Sequence, residues 1–171
     1  MSYVCKVCGN PKDDHPYRHP FISSGRAPAS WDKRFLLLAA HVAGWSKDPS
    51  TQVGAVIIDD QRRVLATGYN GFPRGIADTP ERLNDRPVKY ALVVHAEMNA
   101  ILQAGPLAKG ATLYLYGMPG PPCANCTKHI IQSGITRIVT RSGEDPPRWA
   151  EEFARSREML DESGVTLDTV E

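Results

Sequence analysis

Four side chains in two short stretches have the types and spacing to do chemistry together. VVHAEMNAIL, residues 93–102, carries His95 and Glu97 two apart inside a run that otherwise reads as a buried helix, where ionisable groups are costly without partners. PPCANC, residues 121–126, carries Cys123 and Cys126. One neutral imidazole and two thiolates make a three-ligand zinc set, and a catalytic zinc site of that kind keeps its fourth tetrahedral position for water. Cysteines at i and i+3 share one face of a helix, and the unpaired N–H groups of a first turn favour thiolate over thiol. Pro121 and Pro122 fix the approach of the chain and need no N–H partners. Glu97 points to a different side of the turn from His95, so it is free to take a proton from metal-activated water and deliver it to a substrate.

Each feature has a plainer reading when taken alone. A lone histidine on a helix is usually a satisfied structural residue, and an isolated C-x-x-C is more often structural or coincidental than catalytic. The combination decides: H-x-E followed by P-C-x-x-C is the signature of zinc-dependent base deaminases. A four-cysteine zinc ribbon built from Cys5/Cys8 and Cys123/Cys126 must join pairs more than a hundred residues apart and leaves Glu97 without a role, so it is rejected. All four cysteines lie in these two pairs, and such spacing reads first as metal ligation and second as redox chemistry. Residues 1–29 hold Cys5, Cys8, His15 and His19, a complete four-ligand set for a second, closed structural zinc. The gap between the two halves is shorter than in ordinary zinc fingers.

The elements that must position the first site follow from pattern. Ser30 caps a helix over WDKRFLLLAAHVAGWS, with Phe35, Leu36, Leu38, Ala39 and Val42 on one face. Val53–Ile58 and Val64–Thr67 flank the polar DDQR as a hairpin. The Gly-, Pro-, Asn- and Asp-rich stretch 68–90 reads as one long functional loop. A helix then runs from about His95 to Gln103, ATLYLY (111–116) is a third strand, and Ala124–Ser133 is a helix stopped by Gly134. TRIVT is a fourth strand, RWAEEFARSREMLDES an amphipathic helix ended by Gly164, and VTL a short last strand. This order argues an α/β layer structure with a mixed sheet covered by helices on both faces. Ligands in such sheets bind beyond strand ends, where His95 and Cys123/Cys126 are both expected.

With 171 residues, the chain makes one domain with elaborations: an N-terminal extension over 1–29 and a catalytic domain over 30–171. Apolar residues are 42%, charged residues 23% and the net charge +1, an ordinary globular balance that argues against a membrane span or a polymeric nucleic-acid partner. MSYVCKVCGN has no apolar core after a basic start, so a cytoplasmic location without structural disulfides is expected.

The segments WSKDPSTQVGAVIID, TGYNGFPRG, HAEMNAIL, PCANC followed by IIQSGITRIV, and RWAEEF with MLDESGV resemble, in that order, the deoxycytidylate (dCMP) deaminases of the cytidine deaminase superfamily. The resemblance covers about residues 30–167. It implies a cytidine-deaminase-like three-layer α/β fold with a five-stranded mixed sheet flanked by helices. It also implies hydrolytic conversion of dCMP to dUMP plus ammonia, supplying thymidylate synthesis: zinc hydroxide attacks C4 while Glu97 protonates N3 and then the leaving amino group. Asn70 matches the position that holds the sugar hydroxyl, although Asn-Gly is also a strong turn former. Ala96 joins the substrate contacts, and Thr51 with Gln52, Arg74 and Lys128 are phosphate-contact candidates. The resemblance further implies a homo-oligomer, from dimer to hexamer, with dCTP and dTTP acting with Mg2+ as effectors near Gly68, Tyr69 and Gly71.

Two departures from the family pattern concern the substrate pocket. GMPGPPC is longer than the usual strand-to-cysteine connection. Where the family often carries a tyrosine after the fourth strand, TRSGEDPPRW offers no aromatic residue before Trp149. Rival readings are a deaminase for dCTP, a 5-substituted dCMP, guanine or tRNA adenosine, and a zinc-stabilised module without catalysis. The absence of a Lys/Arg cluster speaks against the tRNA substrate, and the presence of Glu97 against the inert module.

Overall fold

The computed structural model describes residues 30–170. The extension with Cys5, Cys8, His15 and His19 lies outside the described residues. A five-stranded sheet of order β2-β1-β3-β4-β5 forms the middle layer: β1 Gly54–Ile58, β2 Val64–Tyr69, β3 Thr112–Tyr116, β4 Arg137–Arg141 and β5 Thr166–Val170. β1 runs antiparallel to both β2 and β3, whereas β3, β4 and β5 are parallel. The expected three-layer α/β architecture with a mixed sheet is the one observed.

Alternation along the strands sends successive side chains to opposite faces. Val56, Ile58, Tyr114 and Val139 face Phe35, Leu36, Ala39 and Val42 of α1, Trp31–Ala43. Ala55, Ile57, Leu113, Leu115 and Ile138 face the other way. They pack against Ala96, Ala100 and Ala104 of α4 (Ala96–Ala104), Cys126 and Ile130 of α5 (Ala124–Gln132), and Leu160 of α6 (Ala150–Ser163). Both faces are covered, which is why β1 reads as a continuous apolar run rather than an alternating one.

Two glycines set how closely the helices sit. A Cβ on Gly54 would lie 2.1 Å from the Ala39 carbonyl oxygen of α1, and one on Gly68 would lie 2.2 Å from the Ala96 carbonyl oxygen of α4. They occupy adjacent strands, and each lets a helix backbone approach one face of the sheet.

The stretch expected to be a single loop holds two short helices, α2 Pro80–Asn84 and α3 Arg86–Leu92. The cause is local capping. Thr79 accepts from the Arg82 amide ahead of Pro80, and Asp85 accepts from the Val88 amide ahead of Pro87; proline in a first helical turn sacrifices no hydrogen bond. Strand β5 also exceeds the expected VTL, because parallel pairing with β4 carries it to Val170. No described helix is long and apolar enough to cross a membrane.

Candidate active site

The start of β1 and the ends of β2 and β3 lie together, since Gly54 pairs with both Tyr69 and Tyr116. Parallel β4 ends on the same edge. His95, the N-cap of α4, and Cys123, the N-cap of α5, meet there with Cys126 of the first turn of α5. The ligand atoms of these three residues lie within 4.8 Å of one another. His95 Nδ1 stands 3.6 Å from Cys123 Sγ and 3.3 Å from Cys126 Sγ. Zinc bonds of ~2.3 Å to sulfur and ~2.0 Å to nitrogen at a tetrahedral angle require nitrogen–sulfur separations of about 3.5 Å. The donor set and its spacing therefore fit zinc.

Electrostatics point the same way. A hydrogen bond from Cys126, helped by His95, pulls the Cys123 thiol down to about 4 against the opposing effect of burial. Donating that bond, together with burial, pushes Cys126 up. The hydrogen bond to Cys123 raises His95 against its own desolvation. One proton is thus shared between two sulfurs beside a basic imidazole, and a dication that displaces such protons leaves three donor atoms facing it.

The cysteine turn is held from behind. Thr127 Oγ1 donates to the Cys123 carbonyl oxygen at 3.0 Å and pairs with Ser156 Oγ of α6 at 2.6 Å in the buried interior. Glu152 of α6 accepts from the Ala124 amide at 3.3 Å, placing a carboxylate at the start of α5.

Glu97, only 4% exposed, lines the cleft with His95, Ala96 and Cys123. Burial raises its carboxyl, and the neighbouring His95 charge opposes that rise. Such a group keeps a proton more readily than a surface carboxylate, which suits a group that carries one.

Of the other residues singled out in the sequence, Thr51 and Asn70 line this cleft. The Asn70 amide is largely committed. Its Oδ1 accepts from the Val53 amide at 2.8 Å, and its Nδ2 donates to the Thr51 carbonyl oxygen at 2.9 Å, leaving one acceptor lone pair for a ligand. Gln52 donates to the Ser46 carbonyl oxygen. Arg74 is exposed and does not line the cleft, and Lys128 lies in a separate groove with Glu152 and Arg155. Tyr69 and Gly71 line a neighbouring cavity with Trp45 and Phe72. Gly68 lies beneath α4 instead.

Sequence reasoning missed Asp48, Ser50 and Lys89, which line the cleft, Asp48 and Lys89 also lining the neighbouring cavity. Lys89 Nζ donates to Asp48 Oδ1 at 3.0 Å and to Ser50 Oγ at 2.6 Å. Both charged side chains are only 9% exposed. Asp48 Oδ1 also accepts from the Ser50 amide at 2.8 Å and the Thr51 amide at 3.2 Å. The D-P-S-T string signals such a turn, but nothing local to Lys89 reveals its partner across the fold.

Comparison with known proteins gives this geometry a family. Residues 29–142 match the model for the cytidine and deoxycytidylate deaminase zinc-binding region. A deaminase encoded in the luxG 3′ region of Aliivibrio fischeri is 39% identical over 141 residues, covering 81% of this chain and 92% of that protein. The deoxycytidylate deaminase of Homo sapiens is 36% identical over 143 residues, 80% of this chain and 78% of its own length. The dCMP deaminase of cyanophage S-TIM5, solved in complex with dCMP and dUMP, superposes with a TM-score of 0.64 at 21% identity over 85% of this chain and all of that one, a likeness of fold. With its zinc-binding segment matched and its relatives aligned over four-fifths of its length, the chain belongs to the cytidine and deoxycytidylate deaminase family of hydrolases.

Proposed function

We propose that this protein deaminates dCMP to dUMP, releasing ammonia. The carrying observation is the convergence of His95, Cys123 and Cys126 with the buried Glu97 at one cleft, in a chain 36% identical to a deoxycytidylate deaminase. Zinc held by the two sulfurs and the imidazole supplies a Lewis acid that makes water nucleophilic near neutral pH.

The remaining work falls to the chain. Glu97 takes a proton from the water that adds at C4 and places it on N3, then relays the proton of the new C4 hydroxyl to the departing amino group. A C4–O bond forms, the C4–N bond breaks, and no electron acceptor is needed. The walls of Val53, Leu115, Pro121 and Pro122 limit water access, which strengthens the charge interactions within the cleft. Thr51 and the free lone pair of Asn70 face the sugar and phosphate end of the substrate. Effectors such as dCTP or dTTP with Mg2+ belong to the neighbouring cavity, which shares Asp48, Asn70 and Lys89 with the cleft.

The test is ammonia release by the zinc-loaded protein from cytidine, dCMP, CMP, dCTP and 5-methyl-dCMP in parallel. dCMP is expected to give the highest kcat/KM. Turnover of dCTP or free cytidine with dCMP left untouched would overturn the assignment.

A further inference from the structure

Besides the metal-site residues His95 and Glu97, three charged side chains among the described residues line the cleft: Asp48, Lys89 and Arg148. Lys89 is spent on Asp48 and Ser50 and is nearly inaccessible. Arg148 has no ion-pair partner among the described residues. A nucleotide brings a phosphate of nearly two negative charges, and Arg148 is the uncommitted cation that faces it. Guanidinium also matches phosphate with two parallel N–H donors.

The next residue, Trp149, lines the same cleft. Its indole Nε1–H is buried, with no acceptor among the described residues, so a ligand in the cleft does not reach it and the residue meets the cleft through its ring. The Trp149 ring stacks on Phe153 of α6 with centroids 6.1 Å apart and planes 15° from parallel. Its segment is pinned by the Asp145–Arg157 ion pair at 2.7 Å. The ring beside Arg148 is therefore held in place before any ligand binds.

We propose that Arg148 forms the phosphate-recognition wall of the cleft: its guanidinium pairs with the 5′-phosphate. This inference rests on the reading of the substrate as a cytosine nucleotide and adds the residue that distinguishes nucleotide from nucleoside. Lys128 and Arg74, the basic residues favoured from the sequence, have no place in that wall.

The experiment compares dCMP with deoxycytidine on the zinc-loaded full chain and on R148Q and W149F, with zinc content and melting temperature checked for each. R148Q is expected to raise KM for dCMP about 10- to 100-fold, with kcat nearly kept and deoxycytidine turnover unchanged. W149F keeps an aromatic ring against Phe153 and removes only the buried donor, so KM for dCMP should stay at the wild-type value. R148Q with the preference for dCMP over deoxycytidine intact, or with both substrates weakened equally, overturns the role given to Arg148, as does a loss of that preference in W149F alone. Calorimetric binding of dUMP against deoxyuridine provides a readout independent of turnover. If the unmodified protein fails to deaminate dCMP but binds dUMP in preference to deoxyuridine and loses that preference in R148Q, the substrate assignment fails and the phosphate wall stands.

Discussion

At the residue scale, the site depends on ionisable groups held where water cannot level their properties. Glu97 is buried with its carboxyl raised, and Cys123 is lowered by its hydrogen-bonded neighbours. These shifts have opposite sign, which suits the opposite tasks proposed for the two groups: Glu97 to carry a proton and Cys123 to give one up to a metal. Replacing Glu97 with Gln keeps the volume and removes the proton carrier. The expected result is a fall in kcat of about 10²–10⁴-fold, with one zinc still bound at the described site and an unchanged melting temperature. Wild-type turnover in E97Q would remove Glu97 from the mechanism.

At the element scale, precision comes from how helices are seated. α3 reaches across the fold through the buried Lys89–Asp48 pair, fixing the turn that presents Thr51. Lys89→Ala leaves a buried carboxylate without its cation, a change that typically costs about 3 kcal/mol or more. Denaturant unfolding should show that loss, and adding Asp48→Asn should restore part of it. No change in the single variant would mean that the pair is not desolvated in solution. α4 carries both His95 and Glu97 and rests on Gly68, where a methyl group would meet two backbone atoms within 2.4 Å. Gly68→Ala should destabilise the fold by about 1–3 kcal/mol and lower zinc retention, since the helix must lift away from β2. A variant with full zinc content and wild-type stability would show that α4 has slack at this contact.

At the scale of the whole molecule, a polar clamp joins the outer layer to the sheet. Arg137 on β4 grips Asp32 of α1 with two hydrogen bonds of 2.9 and 3.0 Å, while its Nε donates to Asp168 of β5 at 2.7 Å. Tyr114 on β3 donates to the same Asp32 at 2.7 Å. The hydrogen bond from Arg137 holds Asp32 below the usual carboxylate range, overcoming burial. A carboxyl whose folded pKa is depressed contributes stability that is fully present above its unfolded pKa, about 3.9, and is lost as pH falls toward the folded value. The stability advantage of the native protein over D32N should therefore be constant near neutrality and shrink below about pH 4. Urea midpoints across that range measure it, and a gap independent of pH would show that Asp32 acts through packing alone.

The local part of this protein was legible in its sequence. HAE and PPCANC carry the three donor atoms that the fold groups and the carboxylate proposed to move the proton, because metal chemistry restricts residue types, and apolar periodicity places β1, β3, α1 and α6 because burial dictates period. The TPER and DRPV strings carried the capping signals for α2 and α3, yet the Gly- and Pro-rich composition around them reads as loop. Pairings between distant residues were not legible: Lys89 with Asp48, forty-one positions apart, and Arg148 and Trp149 with a cleft whose metal ligands begin at His95. Any exposed lysine or arginine has the same local pattern, so the resemblance singled out Arg74 and Lys128 and passed over Arg148. The sequence by itself determined which atoms could hold a metal and which carboxylate is the candidate to move a proton. Only the tertiary structure decided which charges are neutralised in the walls and which remain free for a ligand, because that depends on strand order and helix seating rather than on any neighbour in the chain.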